Sequence, residues 1–288
     1  MIKKEKTEYV IGIDIGGTKM SAALFDGKKV LADYKLATPK DDLNKFTVML
    51  LALIEPLRDR AQKDKVKIKG IGIGIPGIVD VAENKIIKCN NIPILNGVKI
   101  VNLIKEKVDP DTFIVIDNDS NCFARAEALM GAGKKYNNVY GVIVGTGIGA
   151  GWWINQNIYQ GGHGTAGEPG SMVIDFNTGM NLESAYHKLT QSNPAILAEE
   201  AYKGDVLAEK SFNELGTILG IAFANIANLI DPEIIIVGGG ATRSSDLFLP
   251  RAKKVFKQTV VNPKAKEIKI VTGKLGELAG AIGAALLI

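Results

Sequence analysis

Asp119 is the carboxylate of this 288-residue chain best placed to do chemistry. It follows an apolar run at 113–117 and stands where the pattern turns helical, at about 120–130. A side chain at a strand end could project into a cleft and accept a proton from an attacking hydroxyl. It could equally cap the helix, as could Asn118 or Ser120, because Asp, Asn and Ser all accept from free N–H groups at a helix start. The residues alone leave both readings open.

Two glycine-threonine turns offer the partner such a base would need. Asp14-Ile-Gly-Gly-Thr-Lys19 lies between two strand-like runs. Gly16 and Gly17 let the backbone approach an anion, and successive N–H groups there form an anion-binding nest. The Thr18 hydroxyl adds a donor. Asp14 would repel a phosphate, but it could hold Mg²⁺ through water; otherwise it is a local cap of a plain hairpin turn. The second turn runs Gly145-Thr146-Gly147-Ile148-Gly149-Ala150-Gly151. It nearly spells a dinucleotide fingerprint, yet that motif must open a helix, and here Trp152, Trp153 and Ile154 continue as a strand. No GxxxxGK[ST] occurs. What remains is a phosphate-type hairpin, twice. A third turn, at Gly239 and Gly240, follows a buried run at 233–237. It offers either a flat floor for an adenine ring or α-phosphate, or an ordinary strand-to-helix turn.

Two further carboxylates follow. Glu168 sits in a glycine-rich loop at 161–172, and Glu183 lies fifteen residues on, at a helix start. Ionised carboxylates are strong acceptors and could hold several sugar hydroxyls. Glu183 could instead stabilise its helix N-terminus.

The elements that must position these groups read as α/β. Strands are expected at 9–15, 20–26, 29–35, 67–75 and 113–117, with helices at 42–63 and 98–108 and a hairpin at Asp26-Gly27. The second part repeats the theme. A strand at 139–144 leads through glycines into a hairpin at 151–155 and 157–160. Helices at 182–188, 195–203 and 206–229, a strand at 233–237, a helix at 246–256, a strand at 267–271 and a helix from about 275 complete it. Val10, Gly12 and Gly16 align with Val139, Gly141 and Gly145 at one offset, which suggests a duplicated unit and a cleft between two lobes.

Bulk composition excludes other classes. The hydrophobic share of 46% supports real cores, and a net charge of +4 is too small to imply nucleic acid. Lysines gathered at 253–269 read as a solvated helix face. Two cysteines without a CxxC do not make a disulfide framework. The polar opening residues carry no leader-like apolar core, and the most apolar windows are broken by glycine, so no membrane segment and a cytoplasmic location are expected.

The order of these motifs resembles the ROK family of repressors and sugar kinases: Asp14-x-Gly-Gly-Thr, Asn-Asp-x-Asn at 118–121 with Glu127, Gly-Thr-Gly-x-Gly at 145–149, Ala166-Gly-Glu168, then Leu182-Glu183. The resemblance implies an actin-like ATPase (ribonuclease H-like) fold, two lobes with a nucleotide and sugar cleft between them. The first lobe would span 1–118, with the helix at about 275–288 packed back on it, and the second 119–274. Asp119 matches the catalytic base. Asn118, Glu168 and Glu183 match sugar ligands, and Gly77 lies close to the sugar. Asp14, Gly16, Gly17, Thr18 and Lys19, with Gly145, Thr146, Gly147 and Gly149, match phosphate loops, and Gly239-Gly240 part of the adenosine site. ATP, Mg²⁺, a sugar and a homodimer follow.

The chain departs from the pattern in two places. Ser171 stands where many members carry a sugar-reading His, and no cysteine lies between Met172 and Leu182. A structural Zn²⁺ needs about four N or S ligands, so none is expected. Ser171 leaves room near C1 and C2, so glucose is the default substrate and a β-glucoside or N-acetylhexosamine the variant. Rival readings are a non-catalytic sugar-binding regulator and a kinase of the same fold for a non-sugar acceptor. A DNA-binding repressor is disfavoured, since about eight residues precede the first strand, too few for a helix-turn-helix.

Overall fold

A computed structural model of the chain describes residues 8–109, 111–191 and 193–288. The polar opening run, residues 1–7, lies outside the described residues. In order, the elements are β1 (Tyr9–Ile15), β2 (Lys19–Phe25), β3 (Val30–Ala37), α1 (Leu43–Lys63), β4 (Ile68–Ile75), β5 (Ile78–Asp80), β6 (Lys85–Lys88), α2 (Ile100–Ile104), β7 (Phe113–Asn118) and α3 (Asp119–Leu129). There follow β8 (Asn138–Val144), β9 (Ile148–Ile154), β10 (Asn157–Ile158), β11 (Val173–Asp175), β12 (Met180–Asn181), α4 (Leu182–Thr190), α5 (Pro194–Tyr202) and α6 (Val206–Ile230). The chain ends with β13 (Ile234–Gly238), α7 (Ser245–Thr259), β14 (Lys269–Thr272) and α8 (Ala279–Ala285).

These form two compact units. One holds the chain up to Ala126, with Gly161–Gly164 and Leu275–Ile288; the other holds Glu127–Gln160 and Thr165–Lys274. The change of unit falls inside α3.

Each unit is built on a five-stranded sheet, ordered β3-β2-β1-β4-β7 in the first and β10-β9-β8-β13-β14 in the second. In both, two antiparallel pairings are followed by two parallel ones. The offset alignment of the two glycine turns thus reflects one topology used twice: β8 takes the place of β1, and β13 that of β4. The parallel strands are apolar on both faces, as a covered sheet requires; Ile11, Ile13, Ile71, Ile73, Ile235 and Ile236 have at most 1% of their surface exposed.

Local chemistry sets the ends of the elements. Asp26 accepts from the N–H groups of Lys28 and Lys29 at 2.8 and 2.7 Å and closes the β2–β3 hairpin. Asp42 caps α1 through the Lys45 N–H, and Asp205 caps α6 through the Ala208 N–H. α6 is long and apolar enough to cross a membrane, but Phe212, Leu219 and Phe223 on it are buried in the core of the second unit. The helix expected at 98–108 is regular only over α2. The hairpins β5–β6 and β11–β12 were not foreseen; both are short, and neither has an unbroken register.

In the first unit α8 lies directly on β1 and β4. A methyl at Gly12 would strike the Ala281 carbonyl, and one at Gly72 the Ala284 carbonyl. On its other side, Gly283 rests on the Cys122 carbonyl of α3. Backbone thus meets backbone, and only glycine fits at these points. Gly72→Ala should lower the unfolding midpoint by the equivalent of about 1–3 kcal/mol, the usual cost of overpacking. Gly162→Ala, where a methyl meets nothing within 4 Å, is the control and should leave the midpoint unchanged. Equal midpoints for the two variants in a thermal melt would contradict this packing.

Candidate active site

In the first unit the parallel strands β1, β4 and β7 run side by side, and their carboxyl ends meet. Asp14 pairs in register with Gly74, Gly74 with Asp117, and Ile75 with Asn118. Asp14, the Pro76-Gly77 turn, Asn118 and Asp119 are therefore neighbours. Open parallel sheets bind ligands at this edge.

Asn118, not Asp119, caps α3. Its Oδ1 accepts from the N–H groups of Ser120 and Asn121 at 2.8 and 3.2 Å, and its Nδ2 donates to the Gly77 carbonyl at 2.9 Å. Gly77 has φ of +99°, and a side chain there would strike the Lys88 carbonyl. So Asn118 and Gly77 lock to each other. Asp119, freed from capping, opens α3 as its first residue. Its Oδ1 accepts from the Ser120 N–H at 2.8 Å and the Ser120 hydroxyl at 3.3 Å.

Asp14 and Asp119 keep some exposure, yet enough protein surrounds both that burial dominates their titration. Burial, together with the charge of Asp119, pushes the Asp14 carboxyl up to about 7, against the pull of Lys19. Burial pushes Asp119 up to about 6, with Asp117 adding and the Ser120 bonds opposing.

The turn between β1 and β2 is braced from β3. The Gly16 N–H donates to the Lys19 carbonyl at 2.9 Å, the Thr38 hydroxyl donates to the Gly16 carbonyl at 2.7 Å, and the Thr38 N–H to the Thr18 carbonyl at 3.0 Å. Thr18 itself is exposed. Lys19 is turned to Glu277, 3.0 Å away, which also binds Lys35 at 2.8 Å.

In the second unit the turns after β8 and β13 lie together, because those strands are parallel neighbours. A methyl on Gly145 would meet only the Gly240 N at 3.8 Å, and one on Gly240 nothing within 4 Å. This open floor of backbone could accept a flat ring or a phosphate. Gly239, with φ of +86°, turns the chain tightly against the Val144 carbonyl. The Gly145 N–H donates to the Gly147 carbonyl at 2.9 Å, so the loop carrying Thr146 closes on itself before Gly149 continues into β9.

Glu183 is tied to this turn. Its Oε2 accepts from the Ile148 N–H at 2.7 Å and faces Gly147. One helical turn on, the Tyr186 hydroxyl donates to the Gly145 carbonyl at 2.7 Å. Gly170 lies against Glu183, bringing the Glu168–Ser171 segment alongside. The Glu168 carboxylate, however, stands near Tyr140, whose hydroxyl titration is raised above its ordinary range chiefly by burial and then by that charge. Glu168 also lines a pocket of about 260 Å³ with Trp152 and Tyr159. Ser171 is exposed.

The sequence reading missed several residues that hold these groups. Thr38 and Tyr186 have no local signature, although Tyr186 lies one turn beyond Glu183 on the same helix. Asp117 and Arg125 were readable only as neighbours of Asp119, and Ser120 only as a candidate cap, not as the donor that holds the Asp119 carboxylate.

Comparisons with known proteins bear on the family and the fold. The ROK family pattern matches residues 10–288. An N-acetylgalactosamine kinase of Shewanella sp. (strain ANA-3) is 30% identical over 96% of this chain and 95% of its own. An N-acetyl-D-glucosamine kinase of Photobacterium profundum is 28% identical over 96% of this chain and 98% of its own. The structure of a ROK family glucokinase from Streptomyces griseus, in complex with glucose and AMPPNP, superposes with a TM-score of 0.81 at 26% identity, covering 97% of this chain and 98% of that one. With its doubled sheet, its two glycine turns and this match along nearly its whole length, the chain belongs to the ROK family and has the actin-like ATPase fold.

Proposed function

We propose that this ROK-family sugar kinase moves the γ-phosphoryl group of ATP to the C6 hydroxyl of a hexose or hexose derivative, with Asp119 as the base. The observation that carries the reading is the state of Asp119: relieved of capping by Asn118, held at Oδ1 by Ser120, and still partly accessible at a strand end. Its Oδ2 is then the acceptor for the hydroxyl proton. The freed oxygen attacks the γ-phosphorus in line, the bond to the bridging oxygen breaks, and ADP leaves with that oxygen. Phosphoryl transfer asks for placement and charge neutralisation more than for covalent help.

The second unit offers a nucleotide the open floor of Gly145 and Gly240; the first offers phosphates its own glycine turn and the exposed Thr18 hydroxyl. Mg²⁺ arriving with ATP supplies positive charge against the β- and γ-phosphates. Asp14 fits a water-bridged place beside it, because a cation there relieves the repulsion that Asp14 and Asp119 exert on each other. In the first unit Asn118 and Gly77, and in the second Glu168 and Glu183, are the groups offered to the sugar hydroxyls.

Two related kinases act on N-acetylhexosamines and one on glucose, by their names. With Ser171 in place of the larger imidazole, the reading for this chain is a site that tolerates a substituent at C1 or C2. An ADP-release panel should show an N-acetylhexosamine or a β-glucoside turned over with kcat/KM at least equal to that of glucose. Strict preference for unsubstituted glucose would remove the wider-site reading while leaving the kinase.

Asp119 works only as the carboxylate. Since its carboxyl is raised to about 6, log kcat/KM should be level above that pH and fall as pH drops through it. Asp119→Asn should lower kcat by about 10²–10⁴-fold, the usual share of a positioned base. The residual rate should lose its acid limb. Wild-type turnover by the variant would take Asp119 out of this role.

A further inference from the structure

The groups around Asp119 are anchored from behind by one buried ion pair. Asp117, the residue before Asn118 in β7, has a side chain 2% exposed, and the Arg125 side chain is 12% exposed. Arg125 Nη2 donates to Asp117 Oδ2 at 2.7 Å. The other oxygen, Oδ1, accepts from the Asn118 N–H at 2.8 Å and from Asn121 Nδ2 at 2.9 Å. Asn118 in turn caps the first turn of α3 and holds the Gly77 carbonyl. The side-chain bonds that fix the backbone on either side of Asp119 therefore pass through Asp117 or Asn118, apart from those of Ser120.

We propose that Arg125 is a positioning residue for the phosphoryl-transfer step: by neutralising Asp117 it locks the β7–α3 junction and sets the direction of the Asp119 carboxylate. The proposal rests on Asp119 being the base. Arg125 reaches no reacting atom in this arrangement; it acts through Asp117, two residues from Asp119 in the chain. The pair is not a generic surface bridge. Both partners are withdrawn from water, so removing one leaves the other charged and uncompensated. Asp117 would then keep only the Asn118 N–H and Asn121 Nδ2 as partners, and its uncompensated charge would strain the junction they hold.

The guanidinium is only half used. Its Nη1 is buried with no hydrogen-bond partner. A single-point cationic donor such as lysine should therefore replace it, whereas the uncharged methionine, which a merely space-filling role would tolerate, should not. The bidentate geometry for which arginine is ordinarily indispensable is not in use here.

The experiment compares Arg125→Met, Arg125→Lys, Asp117→Asn/Arg125→Met and Asp119→Asn as full-length proteins with ATP, Mg²⁺ and the best sugar of the panel. Displacing a catalytic group by about an ångström can cost as much as 10²-fold. Arg125→Met should accordingly lose about 10- to 100-fold in kcat while KM for sugar and ATP stays near wild type. Arg125→Lys should restore most of kcat. The double variant, which removes the stranded carboxylate, should be faster than Arg125→Met alone. If Arg125→Met is insoluble, the lysine and double variants carry the test: both should then be soluble, with kcat of the lysine variant near wild type, and a lysine variant as inactive as Asp119→Asn would overturn the proposal. Wild-type kcat in Arg125→Met, or a loss spread equally over kcat/KM and the folded fraction with no recovery in the other two, would overturn the proposal. Loss of activity in Asp119→Asn alongside an unaffected Arg125→Met removes the positioning role alone. Full activity in Asp119→Asn removes the base, and the positioning role with it.

Discussion

Three carboxylates of like charge stand at the ends of adjacent strands in the first unit, and among the described residues only one of them is ion-paired. Arg125 neutralises Asp117, while burial and then the charge of Asp119 raise the proton affinity of Asp14, and burial above all raises that of Asp119. The fold imposes this. Parallel register sets β1, β4 and β7 level, and α8 presses its Gly280 backbone against the Asp14 carboxylate from below. A folded-state carboxyl raised to about 7 stabilises the fold fully only below its unfolded value, and that contribution is lost as pH rises through 7. At neutral pH the pair therefore costs stability. A site that holds unfavourable charge in an accessible place is one a cationic ligand would relieve, which is the electrostatic pattern of a functional site.

The second unit solves the opposite problem with the same topology. Among the described residues, the turns directly after its β8 and β13 hold no carboxylate of their own. It offers backbone, held in shape by side chains that spend their polar atoms on it: Glu183 on the Ile148 N–H, Tyr186 on the Gly145 carbonyl. The clustered carboxylates thus lie on one copy of the sheet, and an open floor of backbone on the other. The tie on Glu183 bears on its proposed sugar contact, since one carboxylate oxygen already serves the turn and the other is left for a hydroxyl.

Much of this was legible in the chain itself. Buried β-branched runs marked the strands because parallel strands are covered on both faces, and Asp26-Gly27 or Asp42 marked ends because their bonds are local. The ambiguity at Asn118–Ser120 was real in sequence, as all three residues can cap; only the register of β7 against β4, which brings the Gly77 carbonyl to Asn118, decides for Asn118. Contacts between residues far apart in sequence stayed hidden. Thr38 on the Gly16 carbonyl and Glu277 on Lys19 depend on β3 and the C-terminal segment arriving beside the first turn. Arg125 was hidden differently: on a helix it reads as an exposed cation, and only its burial against Asp117 gives it a part. The β11–β12 segment was legible as lacking cysteine, but not as a hairpin whose turn Asp175 closes through Thr178 and Asn177.

The central claim is that these strand ends serve a hexose hydroxyl. It is tested most directly by incubating the purified chain with ATP, Mg²⁺ and a hexose and following ADP release and the phosphorus and carbon NMR of the product together. The account predicts hexose-dependent ADP, one phosphate ester formed per ADP, and the ester on C6. Hexose-independent ADP release, or no ester from any hexose or hexose derivative while ATP binds, would contradict it.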